Sequence, residues 1–276
     1  MADKQTPKTN AAKREQYLKK IQPYNSSIDR LLKKEAEILE AVKENPEKHA
    51  LKRVTLAEVM LNLASNYLVV NGVSQSILKI RNNDALNDAR KAVYKSVIYL
   101  EDTVSNFVDA AFSEYEEKLA GIETLDAGRR YRLACKMGLT IQLLESAWGS
   151  RTRWKWSFVE LEGRYAAVTK NLLDLKKAAA QDPYSPDYRP LTYHFRLSKK
   201  LLTQAADRYR ERYELVSHSL DDFETGILFL SALRRFLAQM GERDELETVR
   251  KKYNVWTAKL EADIKNRMDF AIPKDV

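Results

Sequence analysis

Three short clusters in which cations alternate with aromatic residues are the part of this sequence best suited to bind an anion. They are RRYR at 129–132, RTRWKW at 151–156 and RYRERY at 208–213. Arginine offers paired N–H donors that match a phosphate or a carboxylate, and its guanidinium group can also lie over an aromatic ring. The predicted anion- and partner-binding residues are Arg129, Arg130, Arg151, Arg153, Lys155, Trp156, Arg208 and Arg212.

The middle cluster follows Gly149 and Ser150, a pair that suits the end of one helix and the cap of the next. Its three cations therefore fall in the first turns of a predicted helix, where the helix dipole disfavours positive charge. Free backbone N–H groups at a helix start bind anions, which makes this end of the helix one candidate site. The alternative is structural: acids of residues 54–127 pair with these cations inside the fold, or the cations lie over aromatic faces.

Charge is distributed unevenly along the chain, whose formal net charge is +8. Residues 128–217 carry 18 Lys and Arg against 9 Asp and Glu, whereas residues 54–127 carry 6 against 11. A basic region of this kind favours an acidic partner without naming one. The interspersed acids and the lack of a recognisable reader motif argue against a dedicated nucleic-acid domain.

Local motifs for catalysis and metal binding are missing from the sequence. None of His49, His194 and His218 has a glutamate three positions earlier, which excludes the Glu-x-x-His pairs of di-iron bundles. The same histidines are too far apart for His-Glu-x-x-His, and there is no Gly-x-Ser-x-Gly elbow. Cys135 is the only cysteine, so an intramolecular disulfide is excluded. We therefore expect no enzyme activity, no catalytic residues, no cofactor and no metal site.

Proline positions and apolar spacing predict the first helices. We expect helices at about 11–22, ending near Pro23, at 28–45 and at 54–81. The third includes residues 59–78, which carry no charge but contain several Asn, Gln and Ser side chains that would be costly in lipid. This uncharged stretch therefore indicates a helix buried centrally in a bundle, and no transmembrane segment is expected.

A long apolar stripe begins near Asp84 and meets no Pro or Gly before Gly121, which predicts one helix of about 35 residues. The next helix is expected to start near Thr124 and to bury a second stripe that ends at Trp148. The first stripe consists of Leu86, Val93, Val97, Leu100, Val104, Phe107 and Ala111, and the second of Met137, Ile141, Leu144 and Trp148.

The clearest heptad pattern follows Ser150, with apolar residues at alternating spacings of four and three. This seam consists of Trp154, Phe158, Leu161, Tyr165, Val168, Leu172 and Leu175. Trp148 and Trp154 are thus expected in the core, while Trp156 lies off the seam. If successive helices alternate in direction, clusters 151–156 and 208–213 lie at one end of the bundle and 129–132 lies at the other.

The predicted fold class is all-α, an elongated antiparallel bundle of about eight or nine helices, several of them long. Residues 1–12 are expected to be a disordered tail, 13–270 a single domain and 271–276 a C-terminal tail. Within the domain, the Pro-rich connection at 182–190 is expected to pack through Tyr184 and Tyr188, and SLDD at 219–222 matches a capping box.

These features predict a non-enzymatic interaction or scaffold protein. It would bind an acidic or phosphorylated protein segment, or form a homo-oligomer, through the basic, aromatic-rich surface of residues 128–217. The alternative is a helical protein that binds nucleic acid or an anionic membrane. The polar N-terminal residues lack the apolar core of a signal peptide, so a cytoplasmic location is expected.

Overall fold

A computed structural model describes an all-α fold, which confirms the predicted fold class. The described residues are 7–44, 49–149, 155–180 and 182–271, with side chains for 11–43, 49–149, 155–180 and 182–267. They contain ten α-helices, a π-helical turn at Tyr213–Ser217 and no strand. The helices are α1 (Pro7–Glu44), α2 (His49–Leu78), α3 (Asn83–Thr103), α4 (Phe112–Ala120), α5 (Ala127–Trp148), α6 (Lys155–Leu172), α7 (Leu175–Ala180), α8 (Tyr188–Arg212), α9 (Leu220–Met240) and α10 (Arg243–Ala271).

The chain divides into two compact units, so the predicted single domain over 13–270 stays a prediction. Unit 1 comprises Met1–Thr103 and Cys135–Arg153, and unit 2 comprises Val104–Ala134 and Trp154–Val276. The predicted disordered tail of residues 1–12 is helical from Pro7 onward, and residues 1–6 lie outside the described residues. At the other end α10 reaches Ala271, and the rest of the predicted C-terminal tail is likewise not described.

Helix α1 runs without interruption through Pro23, so the predicted helix end at this residue is wrong. Proline fits the helical φ angle but removes one backbone N–H and crowds the preceding turn. Ile21 and Ile28 lie one heptad apart on either side of it, and both are buried. Because α1 packs along α2, burial of apolar side chains in both halves of α1 offsets the cost of the proline.

The uncharged stretch at 59–78 lies in α2, which packs against both α1 and α3, as the central position predicts. Its polar residues are used at the turn into α3: the buried Asn71 accepts a hydrogen bond from the Asn82 N–H at 2.9 Å. The buried Ser74 hydroxyl donates to the Ile80 carbonyl at 2.8 Å. Across the described part of the chain, no helix has both the length and the apolarity to span a membrane.

The predicted 35-residue helix from Asp84 is wrong, because α3 ends at Thr103 and α4 begins at Phe112. In the connecting segment 104–111, the Ser105 hydroxyl accepts a hydrogen bond from the Phe107 N–H. The Asn171 amide donates to the carbonyls of Ser105 and Phe107 at 2.9 and 3.1 Å. These side-chain bonds replace helical ones, and Phe107, assigned to the apolar stripe, is 66% exposed.

The heptad seam is confirmed as part of the unit 2 core at every position the structure describes, and Trp154 lies outside those residues. The seam is divided between two helices, since α6 ends at Leu172 and α7 begins at Leu175. The Asp174 carboxylate caps the start of α7 by accepting a hydrogen bond from the Lys177 N–H at 3.0 Å. Trp148 and the stripe that precedes it are also buried, in unit 1, as predicted.

Helix α8 is the centre of unit 2, in contact with α6 on one side and α9 on another. Its approach to α9 is so close that a Cβ atom at Gly226 would lie 3.1 Å from the Ala206 carbonyl oxygen. At Gly163 of α6, a Cβ atom would lie 2.8 Å from the ring of Tyr209. Both glycines therefore permit the helix spacing that fixes where the α8 side chains lie.

Two local predictions near α8 are wrong. Tyr184, expected to pack within the Pro-rich connection, is 96% exposed, whereas Tyr188 is half-buried at the start of α8. The capping box at 219–222 does not form, because the Ser219 side chain makes no capping hydrogen bond. The Asp222 carboxylate accepts instead from the Ser217 hydroxyl and from Arg212.

Candidate functional site

The described part of the second predicted cluster, Lys155 and Trp156, meets the third cluster in unit 2, at the start of α6 and the end of α8. Lys155 Nζ lies 3.5 Å from a Glu211 carboxylate oxygen, and the Arg212 guanidinium donates to the Trp156 carbonyl at 3.3 Å. For Lys155 and Trp156, the described residues of cluster 151–156, this agrees with the prediction that the two clusters lie at one end of the bundle, where α6 begins and α8 ends. Arg151 and Arg153, the central residues of the predicted site, lie outside the described residues.

Each described cation of these two clusters has an intramolecular acidic partner. Arg208 pairs with Glu162 of α6 at 3.1 Å, Arg210 pairs with Glu214 at 2.8 Å, and Arg212 binds Asp222. We call Lys155, Arg208, Arg210 and Arg212 the paired cluster.

Aromatic rings add to this network. The cationic groups of Arg210 and Arg212 lie 4.8 Å from the ring centroids of Trp256 and Tyr209, and Lys155 Nζ lies 4.6 Å from that of Trp156. The structural alternative for these cations therefore holds in the described residues, with one correction. The acids come from Glu162, Glu211, Glu214 and Asp222 and not from residues 54–127.

The first predicted cluster lies near the opposite end of α8, where its two arginines differ. Arg130 is only 5% exposed, and its guanidinium donates to the carbonyls of Leu125 and Ile122, both at 2.9 Å. Burial lowers its pKa, while nearby carboxylates, first among them Asp174, oppose that shift. Arg130 thus holds the connection between α4 and α5 and is not a surface residue. Arg129 is exposed.

Several cations of unit 2 that have no acidic partner in the described part of the chain lie on an exposed face of α8 and at the start of α5. Along α8 the exposed residues Arg189, Tyr193, Arg196 and Lys200 recur at spacings of four, three and four, which places them on one face of the helix. At the start of α5, the exposed Arg129 and Arg132 are three residues apart. We call these six residues the basic face.

Two tyrosines connect the parts of the basic face. The ring centroids of Tyr131 and Tyr193 lie 6.1 Å apart, which brings the start of α5 beside the N-terminal half of α8 within unit 2. Tyr193 is 48% exposed. The contact therefore brings two helices that carry exposed arginines next to each other, and arginine can bind carboxylate or phosphate groups through paired N–H donors.

A feature of the sequence that the search for cation–aromatic clusters did not use does indicate the basic face. Residues 127–144 and 188–206 each lie between two acids and contain no Asp or Glu at all. Most cations in such stretches have no acidic neighbour at the helical spacings of three and four, although Asp126 lies three residues before Arg129 and four before Arg130. The RYRERY cluster, by contrast, contains Glu211 and is followed by Glu214, which supply local partners.

A shallow groove of about 370 Å³ borders the basic face at Arg196. Leu191, Phe195 and Met240 contribute apolar side chains to its lining. Lys199, which also lines the groove, pairs with Glu245 at 2.5 Å and is not counted in the basic face. Glu242 lines the groove as well, and the surface of the groove beside Arg196 is more polar than apolar.

Buried polar side chains near the end of α6 have a structural role. The Lys170 ammonium group lies 3.4 Å from the Ala110 carbonyl, and burial lowers its pKa to about 8. Asp109 accepts hydrogen bonds from Ser231 and Arg235 at 2.7 and 2.8 Å. Together with Asn171 these residues fix segment 104–111 in place. Among the described residues there is no group of three or more His, Cys, Asp or Glu that could hold a metal ion.

The chain belongs to the TP0443 family, whose model matches residues 13–264. No curated protein and no solved structure matches the chain. The name of the family states no activity, ligand or partner. The function therefore has to be inferred from the residues of the chain itself.

Proposed function

We propose that this protein is a non-enzymatic interaction protein that binds an acidic or phosphorylated segment of another protein through the basic face. The observation that carries the proposal is the contrast in pairing along α8. Arg189, Arg196 and Lys200 have no acidic partner in the described residues, whereas the cations at the end of the same helix all have one.

Electrostatics supports an anionic partner. Like charges held on one surface repel each other, and an incoming anion relieves that repulsion. Arginine contributes more than charge, because its planar guanidinium group can form two parallel hydrogen bonds with one carboxylate or phosphate group. Four of the five cations of the basic face are arginines, and each lies within about two helical turns of another cation on its own helix, which suits a segment with several anionic groups.

The neighbouring groove favours a protein segment over a bare polyanion. Its mixed lining, with the edges of Leu191, Phe195 and Met240 among polar groups, offers a peptide side chain both polar and limited apolar contacts next to Arg196. Tyr193 adds an exposed aromatic ring of the kind enriched at protein interfaces. An exposed ring beside arginines can also stack a nucleic-acid base, so the preference for a peptide of mixed acidic and apolar composition rests on the groove.

Direct binding of defined peptides tests the proposal. A fluorescent oligoglutamate peptide that contains one leucine, and the same peptide with phosphoserine in place of some glutamates, are titrated with the full chain at low and moderate salt. We expect saturable binding that weakens as the salt concentration rises, because screening reduces attraction between exposed charges.

The variant Arg196→Glu/Lys200→Glu should lose this binding. Lys33→Glu/Lys34→Glu in α1 is the matched control, since it changes the net charge by the same amount at exposed residues of unit 1. Equal loss in both variants would reduce the effect to net charge and overturn the basic face as a site. Retention of binding in the Arg196→Glu/Lys200→Glu variant would also overturn it.

Other partner classes are separate outcomes of the same titration. Tighter binding of a duplex oligonucleotide or of anionic vesicles than of either peptide would replace the proposal with the nucleic-acid or membrane alternative. Sedimentation of the full chain without a peptide examines self-association, in which acids of one copy would occupy the basic face of another. A dimer that the Arg196→Glu/Lys200→Glu variant abolishes would make a second copy the partner.

A further inference from the structure

A polar cavity of about 180 Å³ lies beneath the start of α8, on the side opposite the basic face. It is formed within unit 2 by the N-terminal ends of α5, α7 and α8 and the C-terminal end of α6. This volume is enough for a molecule of a few non-hydrogen atoms. The ionisable residues in its lining are Glu123, Asp126, Arg130, Asp174, Lys177, Asp187 and His194.

Arg130 brings a buried guanidinium group to this cavity with part of its hydrogen-bonding capacity unused. Of its five N–H groups, one on Nε and one on Nη2 donate to the carbonyls of Leu125 and Ile122. Within the described residues no acceptor lies within hydrogen-bonding distance of Nη1. A carboxylate in the cavity can accept these remaining N–H groups.

His194, which also lines the cavity, has a ring nitrogen, Nδ1, that accepts no hydrogen bond from a described residue. The residue is 1% exposed, and its Nε2 lies 2.8 Å from the Thr169 carbonyl oxygen. A carbonyl can only accept, so the proton is on Nε2, and burial lowers the pKa of His194 to about 4, which keeps the ring neutral. Nδ1 is therefore an acceptor, and no described residue donates to it.

Asp187 supplies a carboxylate that accepts no hydrogen bond from a described residue, while its charge acts on the nearby Arg130. It stands at the N-cap position of α8, yet its side chain makes no capping hydrogen bond and forms no ion pair with a described residue. Asp126 and Asp174, by contrast, accept hydrogen bonds from the Arg129 and Lys177 N–H groups at the starts of α5 and α7. The acid at the start of α8 is thus the one of the three that remains available to a ligand.

We propose that this cavity binds a small zwitterion of amino-acid size. Its ammonium group donates to the Asp187 carboxylate and to His194 Nδ1, and its carboxylate accepts from the unused N–H groups of Arg130. A simple amine would leave the Arg130 donors without an acceptor, and a simple carboxylate would face four acidic side chains. This site is separate from the basic face and does not depend on the proposed partner binding.

Calorimetric titration of the full chain with each proteinogenic amino acid tests the proposal, with ethylamine and acetate as single-charge probes. We expect one or more amino acids to bind with one-to-one stoichiometry, and neither ethylamine nor acetate to saturate over the same concentration range. Failure of every amino acid to bind would overturn the proposal. Ethylamine binding as tightly as the best amino acid would also overturn it, because the site would then recognise a cation alone.

The variant Asp187→Asn tests whether the ligand binds in this cavity. Loss of a charge-assisted hydrogen bond should weaken binding by about tenfold or more. Glu224→Gln is the control, because Glu224 is an exposed acid of unit 2 outside the cavity lining. Unchanged affinity in Asp187→Asn would overturn the assignment. Arg196→Glu/Lys200→Glu should keep amino-acid binding and Asp187→Asn should keep peptide binding, so the two proposals fail separately.

Discussion

Helix α8 carries two sets of cations that behave in opposite ways. At its C-terminal end, Arg208, Arg210 and Arg212 are held by carboxylates of α6, α9 and the π-helical turn. In its N-terminal half, Arg189, Arg196 and Lys200 are exposed and have no acidic partner in the described residues. One helix thus uses positive charge both to join its neighbours and to present an open surface.

The difference comes from where the acids lie. Glu211 and Glu214 are three and four residues after Arg208 and Arg210, so local helical spacing provides partners. Asp222 and Glu162 arrive from other elements of unit 2. Between Asp187 and Asp207 the chain has no acid, and the facing start of α5 has none after Asp126. A cation-rich cluster is therefore weaker evidence for a binding surface than an acid-free stretch.

The largest effect on stability is expected when the most buried ion pair of the paired cluster, between Arg212 and Asp222, is broken. Asp222→Ala removes the carboxylate that binds Arg212 and accepts from Ser217, leaving a largely buried guanidinium group without its counter-charge. Removal of one partner of such a pair costs about 3–5 kcal/mol. Urea denaturation of the full chain should show a loss of stability of that order.

The control for this prediction is Glu214→Ala, which removes an exposed partner four residues from Arg210. Pairs of this kind contribute about 0.3–0.5 kcal/mol, so the control should change stability very little. A loss below about 1 kcal/mol for Asp222→Ala would contradict the view that the paired cluster joins the helices of unit 2.

An effect of intermediate size is expected from pH, because His194 in the N-terminal half of α8 makes the stability of the chain depend on pH. His194 lies under the basic face, with its ring centroid 6.1 Å from that of Tyr131. Burial, assisted by the charge of Arg130, lowers its pKa to about 4 from an ordinary 6.5. The unfolded chain therefore takes up a proton below pH 6.5 while the folded chain does not, and stability falls as the pH decreases.

This linkage should cost about 2 kcal/mol between pH 7.5 and 5. His194→Gln cannot take up the proton and keeps an amide that can donate to the Thr169 carbonyl. As the pH falls from 7.5 to 5, the free energy of unfolding should therefore decrease more in the wild type than in His194→Gln. A difference that does not vary with pH would show that His194 is not held neutral by burial.

Apolar periodicity predicted the core well because it is a local property. The seam from Phe158 to Leu175 and the stripe that ends at Trp148 are buried as their spacing requires. The break at 104–111 was missed because it depends on Asn171, which lies 66 residues from Ser105 in sequence. The pairing of Arg208 with Glu162 was missed for a similar reason, since the two residues are 46 apart in sequence, whereas its second partner Glu211 lies at a local helical spacing. Arg130 gave no local sign that it would be buried.

The smallest expected effect concerns the stability of the chain when the basic face is neutralised. Arg196→Gln/Lys200→Gln removes two exposed cations that hold no other residue, so the free energy of unfolding should change by less than about 0.5 kcal/mol. Reduced repulsion makes a slight gain the expected sign. The same variant should nevertheless bind the acidic peptides more weakly than the wild type. A stability loss above about 1 kcal/mol would mean that these cations support the fold, and the contrast with the paired cluster would disappear. Unchanged stability together with weakened peptide binding would show that Arg196 and Lys200 serve binding, whereas the cations of the paired cluster stabilise the fold.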